Sequence, residues 1–211
     1  MSIWRLLGPL LVAVILGLAN TTPVRAAPTT KTPTEIVQAM VDQLSHEVDG
    51  HQAELRQHPD QMSGIIDRVV LPNFDLPFAS LLVLGQYATQ TTPAQRVEFN
   101  HAFDSALARG FAKGLIDFTQ VRVTVLPSQV AANQRRALVR TQVLQSDGGT
   151  VAVNYAFRVS NSGHWKIYDV IIEGISYITL YRSQVASDIQ KNGIDAVIER
   201  LKTKGVVDLG S

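Results

Sequence analysis

Cysteine is absent from the 211-residue chain, and charged residues make up only 18% of it. Without cysteine the protein can form no disulfide and carry no thioether-linked lipid. The chain has 19 lysines and arginines against 18 aspartates and glutamates, with no basic run. Nucleic-acid binding depends on clustered cations, so we predict no nucleic-acid partner.

Compact metal motifs and nucleophile motifs are also missing. His46, His51 and His58 are separated by five and seven residues, which does not match a ligand motif such as HExxH. No GxSxG nucleophile elbow occurs, and Ser176 is most simply interpreted as a helix cap. The sequence therefore predicts no metal site, no cofactor and no covalent catalysis.

The first 26 residues have the pattern of an export signal. Arg5 provides a positive start, residues 6–19 are largely apolar, and small or aliphatic residues precede a cleavage position after Ala26. The apolar run is shorter than the roughly 20 residues of a membrane span and contains Pro9. We therefore expect a soluble periplasmic protein. The predicted organisation is a signal peptide at 1–26, a linker at 27–32, one domain at 33–205 and a tail at 206–211.

Three helices are predicted before the strands. Thr32 and Thr92 each precede a proline, the pattern of an N-cap followed by proline at the first helical position. Gln95 is placed to complete a capping box with Thr92, at the start of a long helix. A further helix is expected to begin at Pro59 and end at Pro72.

Between residues 121 and 172 apolar side chains recur at every second position. This period predicts four strands, with hairpin connections at 146–149 and 161–163. Two helices follow, at about 176–191 and 193–204, and the last strand is expected to lead directly into the first of them. The order of helices, strands and helices indicates an α+β domain. In it, N-terminal and C-terminal helices cover an antiparallel four-stranded meander.

Asp169 is the polar residue most open to a functional interpretation, because it lies in the otherwise apolar strand 165–172. In one interpretation its carboxylate faces an apolar cavity and acts as a general base, as in cone-shaped α+β isomerases. In the other, which we favour, Asp169 faces outward or pairs with an arginine such as Arg140, Arg158 or Arg182.

The sequence contains the motifs LPNFD at 71–75, LGQY at 84–87, TPAQRVEFNHAF at 92–103, HWKIYDVIIEGISYITLYRSQ at 164–184 and GIDAVIERLKTKG at 193–205. Together these motifs resemble the MlaC, or toluene-tolerance, family of periplasmic phospholipid-binding proteins. The most specific residues are Trp165, Tyr168, Asp169, Val170, Glu173, Gly174, Ser176, Tyr181 and Arg182. Three residues depart from the family pattern, namely Tyr87 in place of Trp, Leu180 in place of Asn and Val185 in place of Phe.

The resemblance implies an NTF2-like cone around an apolar cavity, and a monomeric carrier that is not an enzyme and has phospholipid as its cargo. It also implies two partners: an inner-membrane ABC transporter with MCE-domain subunits, and an outer-membrane lipoprotein–porin complex. Such a carrier moves phospholipid between them and maintains outer-membrane lipid asymmetry. Each buried methylene contributes about 0.8 kcal/mol, so two acyl chains gain on the order of 20 kcal/mol. Only a deep, dry cavity can therefore compete with a bilayer.

Large apolar residues are our candidates for the wall of this cavity. They are Phe74, Leu81, Leu84, Phe99, Phe103, Phe111, Val123, Val139, Val153, Tyr155, Phe157, Val170 and Ile172. Periodicity alone does not separate a filled core from a hollow one. Two alternatives therefore stay open: a small cone enzyme of the isomerase or dehydratase type with Asp169 as general base, and an adaptor that binds only protein.

Overall fold

The computed structural model describes residues 31–117, 122–128, 133–145 and 148–204, with side chains described outside 111–117. The helices are α1 Pro33–Val48, α2 Gln52–Gln57, α3 Pro59–Ile65, α4 Leu76–Leu84, α5 Pro93–Asp117, α6 Tyr177–Asn192 and α7 Ile194–Thr203. The strands are β1 Arg122–Val125, β2 Arg136–Leu144, β3 Thr150–Val159, β4 Trp165–Ile172 and β5 Ile175–Ser176. None of the helices in this part of the chain combines the length and apolar character of a transmembrane span.

The strands form one antiparallel sheet in which each strand pairs with the next along the chain. This confirms the α+β class and the meander, but the sheet has five strands instead of the predicted four. Glu173 and Gly174 have φ values of 49° and 81° and form a two-residue turn. The turn folds Ile175 back against Ile172 as the start of β5. The chain therefore reverses in a tight hairpin before α6 begins, and the expected direct passage from strand to helix is wrong.

Both predicted helix starts are confirmed, and α1 has a capping box as well as the one predicted for α5. Thr32 Oγ1 accepts a hydrogen bond from the Glu35 N–H at 3.3 Å, and the Glu35 carboxylate accepts one from the Thr32 N–H at 2.7 Å. Thr92 and Gln95 exchange the same two bonds at 3.1 and 3.0 Å. These bonds satisfy N–H groups that have no partner inside the helix, and so they fix where each helix begins.

The helix that begins at Pro59 changes its winding before Pro72. It is α-helical to Ile65, then π-helical over Ile66–Val70, then a 3₁₀ turn over Leu71–Asn73. A π-helical turn holds one more residue than an α-helical turn, so it can bring more apolar residues to one side. Ile66, Val69 and Val70 are all buried.

Apolar side chains form two separate cores. The first, which we call the helical core, joins α4, α5, α6 and α7. The second, the sheet core, joins α1, α2, α3 and the π-helical segment to one face of the sheet. We call this face, which carries Val139 of β2, the inner face, and the opposite one the outer face.

The LPNFD segment connects the two cores at the edge of β4. Phe74 forms a parallel bridge with Ile167, and the Asp75 N–H donates to the Ile167 carbonyl at 2.7 Å. The Asp75 carboxylate accepts from the Phe78 N–H at 3.4 Å, which caps α4, and also pairs with Arg158. The start of α4 is therefore fixed to the sheet.

Candidate functional site

The inner face of the sheet is lined almost entirely by apolar side chains. Residues opposite one another on β2 and β3 are Ala137 and Phe157, Val139 and Tyr155, Thr141 and Val153, and Val143 and Val151. Ile167, Val170 and Ile172 of β4 continue these rows. The exception is the buried Thr141, whose hydroxyl donates to the Val153 carbonyl at 2.6 Å. Because the sheet itself satisfies this hydroxyl, the surface stays apolar in character.

Coverage of the inner face differs between its two ends. At one end Phe157 and Ile167 are completely covered, with 0% of their surface exposed. Two rows away Val153 and Ile172 are only half-buried, although they lie on the same face. The helices therefore close the sheet tightly at Phe157 and less tightly over β3 and β4 near the Glu173–Gly174 turn, whereas Thr141 of β2 in the same row is covered.

Tyr155 places a polar group in the middle of this surface, between Val139 and Val170. The residue is half-buried, and burial raises the pKa of its phenol to about 12. Tyr155 thus offers a neutral donor and acceptor within an apolar surface.

Helical side chains form the opposite wall of the sheet core. They are almost fully covered and include Val37 and Met40 of α1, Met62 of α3, and Ile66 and Val69 of the π-helical segment. The candidates proposed from the sequence omit these five residues. In the sequence these residues are recognisable as an apolar stripe at helical spacing. Such a stripe predicts that they are buried, but it does not indicate that they face the sheet.

The structure brings together seven of the thirteen candidates from the sequence at the sheet core. They are Phe74, Val139, Val153, Tyr155, Phe157, Val170 and Ile172. Val123 stands opposite Val143 on β1 and is half-buried. Leu84, Phe99 and Phe103 lie instead in the helical core, where the rings of Phe99 and Phe103 stack with centroids 5.8 Å apart. Leu81 is 45% exposed on α4, and the side chain of Phe111 lies outside the described part of the chain. The role of all thirteen in ligand binding stays a prediction.

Asp169 is held by the start of α6. The Ser176 hydroxyl donates to one carboxylate oxygen at 2.6 Å, and the Ile178 N–H donates to the other at 3.1 Å. The Ser176 oxygen also accepts from the Thr179 N–H at 3.1 Å, which confirms Ser176 as the N-cap. Both carboxylate oxygens therefore receive donors at a helix N-terminus, where negative charge is favourable.

The arginines suggested as partners of Asp169 lie elsewhere in the described structure. Arg158 pairs with Asp75, and the Arg182 side chain donates to the Leu82 carbonyl at 2.6 Å. Arg140 is exposed on the outer face. The arginine pairing is therefore wrong, because α6 supplies the partners of this carboxylate. The other half of the favoured interpretation is confirmed, since Asp169 stands opposite Ala156 in the row of the outer-facing Leu138.

A depression of about 450 Å³ lies on the outer face and is open to solvent. Its lining residues are Gln134, Arg136, Ala137, Leu138, Ala156, Tyr168 and Ile171. Among the residues that the structure describes, no three His, Cys, Asp or Glu side chains are grouped as metal ligands would be. The two faces of the sheet therefore differ. The inner face is apolar, whereas the depression on the outer face has both apolar side chains and Arg136 in its lining.

Comparison with known proteins relates this arrangement to one family. The chain matches the family model of the MlaC protein over residues 38–203. It is 24% identical over 180 residues, 84% of each chain, to the intermembrane phospholipid transport system binding protein MlaC of Haemophilus influenzae. It is 26% identical over 166 residues to the toluene tolerance protein ttg2D of Pseudomonas putida, covering 78% of this chain and 76% of that protein.

A solved structure shows the same fold. It is that of a phospholipid-binding protein from Ralstonia solanacearum in complex with a phospholipid, and it is 26% identical to this chain. The TM-score is 0.73, and the match covers 86% of this chain and 100% of that one. Since the family model spans α1 to α7 and the folds agree, the chain belongs to the MlaC family.

Proposed function

We propose that this protein is a periplasmic phospholipid carrier that holds the acyl chains of its cargo against the inner face of the sheet. The observation that carries the proposal is the apolar inner face, whose side chains at Val153 and Ile172 keep accessible surface beneath the covering helices. Family membership supports it, because the relative from Ralstonia solanacearum was solved in complex with a phospholipid.

The inner face suits a molecule with two acyl chains. Affinity for such a cargo grows by about 0.8 kcal/mol for each methylene removed from water, provided that no polar group is left without a partner. Thr141 meets this condition through its bond to the Val153 carbonyl. The Tyr155 hydroxyl is the group that we assign to the ester or phosphate oxygens of the lipid, since a hydroxyl can both donate and accept.

Transport follows from the same proposal. We infer that the protein is exported with cleavage after Ala26 and carries phospholipid as a monomer between complexes of the outer and inner membranes. The inner-membrane partner is then an ABC transporter with MCE-domain subunits, and the outer-membrane partner is a lipoprotein–porin complex. Support comes from the family and from the relative in Haemophilus influenzae, which is a binding protein of an intermembrane phospholipid transport system.

The alternative of an enzyme with Asp169 as base has less support. A general base must lie within hydrogen-bond reach of its substrate. Asp169 stands opposite Ala156, in the row of the outer-facing Leu138, and so it is not on the apolar inner face. Its carboxylate also accepts hydrogen bonds from the start of α6. We therefore assign Asp169 a structural role and propose that the protein has no catalytic activity.

Lipid extraction tests the carrier proposal. Protein purified after export should release about one phospholipid per chain, measured by mass spectrometry and phosphate analysis. Replacing Val153 by tryptophan should lower this content because the larger side chain fills the less covered end of the inner face. Gln142→Trp is the matched control, since Gln142 is exposed on the outer face. Folded wild-type protein without lipid, or equal lipid loss in both variants, would contradict the proposal.

A further inference from the structure

The outer face of β1 and β2 alternates arginine with leucine. Arg136, Leu138, Arg140 and Leu144 are all exposed, because they occupy the positions of β2 that point away from the sheet core. Arg122 of β1 is exposed opposite Leu144. We call these five residues the arginine–leucine face. Leu138 and Leu144 keep 39% and 43% of their surface exposed, so the face combines charge with accessible apolar area.

The positive charge of this face is not neutralised by the described part of the chain. Arg68, Arg158 and Arg200 form ion pairs there, and none of them belongs to the arginine–leucine face. Arg136 stands directly opposite Arg158, whose charge is already paired with Asp75. Arg122, Arg136 and Arg140 are therefore the charges of this face that an anionic partner can meet.

Charge is also distributed unevenly between the two sides of the molecule. The five strands contain five basic residues and one acidic residue, Asp169, a net charge of +4. Residues 33–70, which cover the inner face, contain seven acidic and two basic residues, a net charge of −5. The protein is nearly neutral overall but positive on the sheet and negative on the helices that cover it. An anionic surface will therefore attract the outer face of the sheet towards itself.

We propose that the arginine–leucine face docks on the surface of an anionic phospholipid bilayer. Guanidinium groups bind phosphate oxygens in a bidentate manner, and exposed leucines enter the boundary between head groups and acyl chains. This contact goes beyond the proposed function, which places cargo on the inner face. It brings the outside of the carrier against a membrane.

An acidic protein is the alternative occupant, and the spacing of the leucines disfavours it. Leu138 and Leu144 are six residues apart on one strand, about 20 Å at 3.4 Å per residue. Protein interfaces concentrate their affinity in a central, buried anchor. The depression beside Leu138 is open to solvent and does not reach Leu144. A fluid bilayer needs no central anchor. It can accept Leu138 and Leu144 separately, although they lie far apart on the strand.

Co-sedimentation with vesicles tests the proposal. The probes are vesicles of phosphatidylcholine alone and vesicles that also contain phosphatidylglycerol. We expect binding to the second kind only, with an affinity that falls as salt is added. Each basic residue near such a surface contributes about 1 kcal/mol, so Arg136→Gln should lower the partition coefficient about fivefold. The double variant Arg136→Gln/Arg140→Gln should then lower it roughly 25-fold.

The control is Lys191→Gln/Lys204→Gln, which removes two exposed charges outside the sheet. Equal weakening by both double variants, or no binding by the wild type, would overturn the proposal. Cross-linking of position 138 to an acidic protein in cells, without vesicle binding, would also overturn it in favour of a protein partner. Lipid extraction separates this inference from the proposed function, because the arginine variants should retain their cargo.

Discussion

The Ser176 hydroxyl donates to the Asp169 carboxylate at 2.6 Å, across the hairpin that Glu173 and Gly174 form. The same carboxylate accepts from the Ile178 N–H, so β4 and the first turn of α6 are joined at one group. The most specific motif of the sequence therefore builds a corner between sheet and helix. Its residues determine where α6 leaves the sheet.

Asp169→Ala should lower the free energy of unfolding by about 2 kcal/mol, because it removes two hydrogen bonds to a charged group. Ser176→Ala should cost about 1 kcal/mol as a lost N-cap. Since the two residues share a bond, the double variant should lose less than the sum, and urea denaturation measures all three. Ser183→Ala, on the exposed side of α6, is the control and should change little. Additive losses would show that the two residues act independently.

Asp104 should make stability depend on pH. Burial raises the pKa of its carboxyl from 3.8 to about 6, and its Oδ1 has no partner in the described structure. The folded state therefore holds the proton more tightly than the unfolded state. The contribution of this group to stability is complete below about pH 4 and is lost as the pH rises to about 6.

Asp104→Asn should accordingly raise the melting temperature at neutral pH, and the gain should disappear near pH 4. The exposed Asp67→Asn is the control and should give no comparable gain. A melting temperature that is unchanged or lower in Asp104→Asn at neutral pH would show that the ionised carboxylate has a favourable partner.

Gly85 should tolerate alanine less well than Gly50 does. Both have positive φ, at 54° and 82°, so a side chain strains the backbone at either position. A Cβ at Gly85 would also lie 3.3 Å from Arg182 Cδ, whereas a Cβ at Gly50 meets nothing within 4 Å. We expect Gly50→Ala to cost about 1 kcal/mol and Gly85→Ala to cost more, as measured by chemical denaturation. In a protein that also carries Arg182→Ala, the stability losses of Gly85→Ala and Gly50→Ala should become more alike. If the two losses differ as much as before, the contact with Arg182 is not the cause.

Removal of Arg200 should expose the cost of a buried carboxylate. Asp188 is 4% exposed and lies between α6 and α7, 3.0 Å from the Arg200 guanidinium. Arg200→Met should lower the free energy of unfolding by about 3 kcal/mol, because the charge of Asp188 stays buried with Asn192 as its remaining partner. Asp188→Asn in the same chain should restore much of this loss. Thermal melting of the single and double variants measures this effect. If Asp188→Asn restores no stability to Arg200→Met, the buried charge of Asp188 is not the cause of the loss.

Local patterns in the sequence predicted the elements well. The capping box at Thr92 depends on residues three apart, and the strands of the meander depend on alternation within a few residues. β5 was missed because two residues are too few to show a period. The turn before it is formed by Glu173 and Gly174, whose positive φ values serve the hairpin.

The candidate site was predicted less completely, because periodicity shows which residues share a face but not which core that face joins. Phe99 and Phe103 have the spacing expected of a wall along α5, and they are buried as expected. They point into the helical core, while Ala108 of the same helix contacts the sheet core. Only the packing of α5 between the two cores decides this, and packing depends on residues far away in the sequence.

The division into two cores separates the part of the molecule that we assign to cargo from the part that maintains the fold. Substitutions at Val153 or Ile172 alter the sheet core, whereas α4 to α7 are held by contacts of their own. The surface that we assign to cargo can therefore change in size and shape while the helical core keeps its own contacts.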